Sequence, residues 1–169
     1  VRAMPDGSID VCLFKGAIRD ADHEEIAKLL RLKSRAMVAF GACACFGGIP
    51  GLSNTSTLDE AIDRAYLHSA STGNPDGTIP MRVTPVDEGE LILPRSWDTV
   101  HTLAQVVDVE YLLPGCPPTV NIVEAAVEAI STGSQPPPGS TIAGDRALCE
   151  ECPREKKNAM RETERKKDL

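Results

Sequence analysis

Three short stretches place cysteines where they could do chemistry. Cys43 and Cys45 lie one residue apart in "VAFGACACFGGIPG" (Val38–Gly51), Cys116 stands in "LPGCPP", and Cys149 and Cys152 form "CEECPR". Thiolates bind soft and borderline metals, ligate iron–sulfur clusters and form redox pairs. The first stretch is also rich enough in glycine to suggest a phosphate-cradling loop. It has neither G-x-x-x-x-G-K-[ST] nor a clean G-x-G-x-x-G, so that reading is weak. The plain alternative is a tight turn whose cysteines are small apolar side chains.

The elements around these cysteines alternate strand and helix. "SIDVCLF" (Ser8–Phe14) and "RAMVAF" (Arg35–Phe40) read as buried strands, each closed by a glycine. Between them "DADHEEIAKLLRLK" reads as an amphipathic helix, with Asp22 and Glu25 as a capping box and Ile26, Leu29 and Leu30 as its apolar stripe. Thr57 and Glu60 signal another helix start, running to about Leu67. Residues 69–94 are rich in Ser, Thr, Gly, Pro and Asp and predict a long surface excursion. "SWDTVHTLAQ" reads as a helix and Val107–Leu113 as a third strand. "TVNIVEAAVEAI" is the clearest helix, capped by Thr119, with Ile122, Val123, Ala126, Val127 and Ile130 on one face and Gly133 past its end. The fold class that follows is α/β with a parallel sheet and flanking helices. Three strands are few for such a sheet. The start at Val1 without Met adds to the expectation that an N-terminal part is absent and that the chain is a piece of a longer subunit.

This order has a geometric consequence. Cys43 lies just past the second strand and Cys116 just past the third, so in a parallel sheet both reach the same carboxyl edge, where α/β folds form ligand sites. Gly41, Gly47 and Gly48 permit close backbone approach and positive φ, and Gly115 breaks the third strand. Amide groups in such turns can bond anionic sulfur. Pro117 and Pro118 stiffen the chain after Cys116 and remove two competing donors. Cys149 and Cys152 form a C-x-x-C pair after the Pro/Gly-rich loop "SQPPPGS", a context that favours metal over a redox disulfide. Cys12 sits inside the first strand and reads as a small buried hydrophobe, while Cys45 is left unassigned. His23, His68 and His101 have no spacing partners and read as surface or helix-face residues.

Composition narrows the partners. The 169-residue chain carries a net charge of −7, which argues against nucleic acid as a main partner. Its aromatic content is 4%, so the core must be largely aliphatic. No apolar run approaches a membrane span, and no basic–apolar leader opens the chain, so a cytoplasmic location is expected. Arg154–Leu169 holds seven basic and four acidic residues and reads as a solvated or partner-bound segment.

Taken together, "GACACFGG", "LPGCPP" and "CEECPR" resemble the small, electron-transferring subunit of NiFe hydrogenases. "DVCLFKGAIRD", "VAFGACACFGGIPGL" and "VEYLLPGCPP" look most like the cytosolic, heterodisulfide-reductase-linked, methyl-viologen-reducing branch. The glycine–cysteine turn and PGCPP also resemble the cluster-bearing 20-kDa-type subunit of respiratory complex I, whereas CxxCPR does not. The resemblance implies a flavodoxin-like domain (residues 1–135) holding a proximal 4Fe–4S cluster. It implies Cys43 and Cys116 as two of its ligands, with the other two on an upstream CxxC not contained in this sequence. It implies that residues 136–169 begin a C-terminal iron–sulfur segment in which Cys149 and Cys152 open the ligand set of a second cluster. Gly41, Gly47, Gly48, Gly115 and Pro117 would shape the proximal site. Lys15 stands where many members of the resembled family carry Glu.

The implied partners are the NiFe hydrogenase large subunit and a downstream iron–sulfur or flavin redox subunit, such as a heterodisulfide reductase module. No catalytic acid, base or nucleophile is expected in this chain. The competing readings are a complex-I-type subunit, a zinc-stabilised binding module in which four thiolates close one structural site, and a nucleotide-binding flavodoxin-like domain.

Overall fold

The structure, a computed structural model, describes residues 1–143; the "CEECPR" element and the charged tail lie outside the described residues. The chain runs β1 (Ile9–Lys15), β2 (Ile18–Asp20), α1 (Ala21–Lys33), β3 (Ser34–Phe40) and α2 (Ala42–Phe46). A 3-10 segment (Pro50–Thr55) leads to α3 (Leu58–Ile62), which continues as a single wide turn over Asp63–Leu67. Then come β4 (Val83–Val86), β5 (Gly89–Ile92), β6 (Ser96–His101), β7 (Tyr111–Leu113), α4 (Val120–Thr132) and β8 (Ser140–Thr141).

The main sheet has the order β1-β3-β7-β8, all parallel. The expected α/β class with a parallel sheet and flanking helices is therefore present. β3 is central and covered on both faces. Met37 and Ala39 point into a core cluster with Phe14, Ile18, Ala27, Ala44 and Leu103. Val38, on the opposite face by strand alternation, packs with Leu113 and Ala126. That two-sided burial explains why "AMVAF" reads as a continuous apolar run instead of an alternating one.

Glu110 fastens the start of β7 to β3. Its carboxylate accepts the Met37 amide at 2.6 Å and the Arg31 guanidinium at 2.7 Å, while its own amide donates to the Met37 carbonyl at 2.9 Å. Its carbonyl accepts the Gly139 amide at 2.7 Å, which brings the chain into β8. One residue thus sets the register on which the carboxyl edge depends.

Several expectations need correction. α1 is capped by Asp20, whose side chain accepts the His23 amide at 2.8 Å, and not by Asp22. Its buried apolar position is Ala27, with Leu30 packed beside it, while Ile26 is exposed. "SWDTVHTLAQ" is strand β6, antiparallel to β2, followed by a 3-10 turn over Leu103–Gln105. The Gln105 side chain accepts the Thr102 amide at 2.8 Å there and starts only that short turn. Within the predicted surface excursion, β4 and β5 form an antiparallel hairpin. On α4, Ala126 is buried but Val127 and Ile130 are exposed, so the predicted apolar stripe is only half covered. The Thr57–Glu60 capping box and the Gly133 terminus of α4, in the left-handed conformation, are as expected. Among the described residues no helix is long and apolar enough to cross a membrane.

Candidate metal centre

The last register pair between β3 and β7 is Phe40 with Leu113. Cys43 is the third residue beyond the first of these, and Cys116 the third beyond the second. The parallel register therefore brings the two turns level. Two hydrogen bonds staple them together. The Gly41 amide donates to the Leu113 carbonyl at 2.7 Å, and the Ala42 amide to the Gly115 carbonyl at 2.6 Å. These two amides thus tie one turn to the other and do not face a ligand.

Between the turns lies a mainly apolar cavity of about 320 Å³, with Cys43 and Cys116 both on its wall. Gly41, Gly115 and Pro117 line it as well, while Gly47 and Gly48 belong to the turn behind Cys43. Gly47 ends α2 in the left-handed conformation, its amide donating to the Cys43 carbonyl at 3.0 Å. Gly48, at φ +55°, packs directly against the cysteine, and a β-carbon there would sit 2.8 Å from Cys43 Sγ. Gly115, at φ +131°, leaves no room either, since a β-carbon would meet Pro118 Cα at 2.5 Å and the Pro117 carbonyl oxygen at 2.7 Å. The Cys116–Pro117 peptide is cis.

The cysteines differ in environment. Cys116 is exposed and Cys43 partly so, whereas Cys45 is buried at 5% exposure. The Cys45 thiol donates to the Ala39 carbonyl at 3.2 Å and faces the core, away from the cavity. Burial pushes its pKa up, offset in part by a backbone hydrogen bond involving Leu113. Cys12 is partly buried against the same core cluster, in keeping with its strand position. Among the described residues no group of three or more Cys, His, Asp or Glu gathers as a ligand set.

Cys45 accordingly stays a thiol until the pH is well into the alkaline range. In folded, metal-free protein an alkylating reagent should modify Cys116 readily and Cys45 only after unfolding, which peptide mapping by mass spectrometry would read. A folded-state pKa above the unfolded one contributes stability that is complete below the unfolded value, about 8.5, and is lost as pH rises through the folded value. The stability difference between wild type and Cys45→Ala should therefore shrink in alkaline urea titrations. A constant difference would contradict it.

Five cavity residues lie outside the predicted site residues: Lys15, Phe40, Gly16, Ala42 and Pro118. The signal for the first two is the parallel register itself, because Lys15 pairs with Phe40 and so ends level with the cysteine turn.

Comparison with known proteins decides the family. Residues 1–130 match the family described as NADH ubiquinone oxidoreductase, 20 Kd subunit. The chain belongs to that family. Among its relatives is an F420-non-reducing hydrogenase iron-sulfur subunit of Archaeoglobus profundus, 43% identical over 154 residues, covering 91% of this chain and 48% of that protein. An F420-non-reducing hydrogenase subunit of Methanothermobacter thermautotrophicus is 38% identical over 148 residues, covering 88% and 44%. A chain in the crystal structure of NAD+-reducing [NiFe]-hydrogenase in the H2-reduced state superposes with a TM-score of 0.65 at 28% identity, covering 78% of this chain and 69% of that one. The resemblance to hydrogenase small subunits drawn from the cysteine motifs is borne out by these family members. The chain spans about half the length of the curated relatives it matches.

Proposed function

We propose that this chain is part of the electron-transfer small subunit of a cytoplasmic NiFe hydrogenase, with Cys43 and Cys116 supplying two of the four ligands of a proximal 4Fe–4S cluster. The observation that carries the reading is the pairing of two thiols, distant in sequence, across one glycine-lined cavity at the carboxyl edge of a parallel sheet. The residues fit the group. The donors are thiols, the walls are largely apolar, and glycine in place of a side chain at position 48 leaves Cys43 room. The relative from Archaeoglobus profundus, named as an iron-sulfur subunit, supports the same chemistry.

The role of this chain's residues is to hold and insulate. A bound cluster would supply one-electron transfer, the chemistry needed to carry electrons away from dihydrogen oxidation at a large-subunit partner. Cys43 and Cys116 would anchor it, while Phe40 and Pro118 keep water off that side. Burial and hydrogen bonding to the thiolates then set the potential. A downstream iron–sulfur or flavin subunit, such as a heterodisulfide reductase module, would take the electrons. Residues 1–135 form the proximal-cluster domain in this reading. Residues 136–169 begin a second iron–sulfur segment, with β8 joining its start to the sheet and Cys149 and Cys152 opening a further ligand set.

The family description favours a second reading, a complex-I-type subunit. "CEECPR", which lies beyond the matched residues, supports the hydrogenase reading. Anaerobic purification of the full-length subunit with metal and sulfide analysis tests the proposal. Iron with matching sulfide and broad visible absorption is the expected result. A colourless, zinc-loaded protein would overturn it in favour of a structural zinc module.

A further inference from the structure

Among the described residues, the cavity that holds the two cysteines carries a single charged group on its wall. Lys15 ends β1 beside Phe40 and lines the same space as Cys43 and Cys116, where every other wall residue is Gly, Ala, Pro, Phe or Cys. Among the described residues Lys15 has no ion-pair partner, whereas Lys33, at the end of α1, is held by Asp6 at 2.6 Å.

An iron–sulfur group ligated by thiolates is already anionic, and one-electron reduction adds a further negative charge. A nearby ammonium interacts more strongly with the reduced form than with the oxidised one, because the Coulomb energy scales with the charge it faces. The apolar walls lower the local dielectric and strengthen that difference. Lys15 is exposed in this chain, so mobile ions weaken the interaction without changing its sign. Building on the cluster reading above, we infer that Lys15 tunes this site electrostatically, raising the reduction potential of the group held by Cys43 and Cys116. Lys15 does not touch the reacting electron carrier as a ligand. It biases which oxidation state the thiolates hold.

The test uses the full-length subunit in its native complex, with wild type, Lys15→Met, Lys15→Arg and Lys15→Glu. Iron and sulfide are counted in each, and the proximal signal is followed by redox titration with electron paramagnetic resonance. Iron should be unchanged throughout. The midpoint potential should fall in Lys15→Met, fall further in Lys15→Glu and stay close to wild type in Lys15→Arg. A Lys15→Met protein with full iron and an unshifted potential would overturn the inference while leaving the cluster reading intact. Loss of iron in all three variants would also overturn it, by giving Lys15 a structural role. Wild type without iron would sink the cluster reading itself, which is a different outcome.

Discussion

Cys43→Ala and Cys116→Ala in the full-length subunit should each lower bound iron and sulfide by about four atoms per chain, the content of one cubane. Each replacement removes a donor on the shared cavity and touches little else, because both thiols lie outside the core clusters. The fold should survive, so circular dichroism should match wild type while the visible absorption drops. Cys45→Ala supplies the contrast. That thiol bonds to the Ala39 carbonyl and is packed in the core, so its loss should leave the iron count unchanged and cost only modest stability. Equal iron in wild type and Cys43→Ala would remove that cysteine from the site. Equal losses in Cys43→Ala and Cys45→Ala would mean that the whole turn, and not one ligand, is being disturbed.

Gly115→Ala is expected to have the largest effect on stability. The new methyl would lie 2.5 Å from Pro118 Cα and 2.8 Å from Pro118 N, atoms of a two-proline backbone that cannot step aside as a flexible side chain would. A positive φ of 131° adds strain of about 1–3 kcal/mol for a residue with a β-carbon. Overpacking against backbone adds about 1–3 kcal/mol more. A combined loss of about 2–6 kcal/mol, at roughly 2–4 °C per kcal/mol, lowers the melting temperature by about 10 °C near the middle of that range. Gly133→Ala separates the two contributions. It has φ +68° at the end of α4 with open space around it, so only the backbone term, about 1–2 kcal/mol, applies. Thermal unfolding of both variants checks this. If they lose stability equally, the contact with Pro117 and Pro118 contributes nothing. Iron loading should fall in Gly115→Ala as well, because its carbonyl accepts the Ala42 amide and its neighbour is Cys116.

The parts of this fold that can be read from sequence are those where one signal dominates. β1 and β3 are short apolar runs closed by glycine, and α4 has a left-handed glycine at its end. β6 runs straight into a short helical turn, where the Gln105 side chain accepts the Thr102 amide at 2.8 Å, so strand and turn read as one helix over Ser96–Gln105. The β-branched and aromatic residues ahead of the turn carry the stronger signal. The β4–β5 hairpin is hidden by Pro85, which a central strand would not accept but an isolated two-stranded ribbon can. The exposed part of α4 cannot be read at all, since a periodic apolar face does not say what covers it.

The meeting of the two cysteine turns follows from the order of elements alone, because parallel strands share their ends. What the sequence does not supply is the register, and with it the arrival of Lys15 on the same wall. Nor does it separate Cys43 from Cys45 by environment. That division rests on α2 turning one thiol to the cavity and the other to the core, a matter of about one hundred degrees of rotation per residue.

The parallel pairing also sets an entropic cost for bringing the two thiols together. Met37 and Glu110 are 73 residues apart, and Cys43 and Cys116 keep the same spacing. In the unfolded chain that span is an open loop, and its closure brings no reward until β7 docks on β3. The two thiols share a site only where β7 is paired with β3. Inserting a cluster ahead of that pairing would have to close the loop by itself, against its entropy. On the cluster reading proposed above, binding at Cys43 and Cys116 therefore favours a chain whose sheet has already closed, because the loop entropy has then been met by strand pairing.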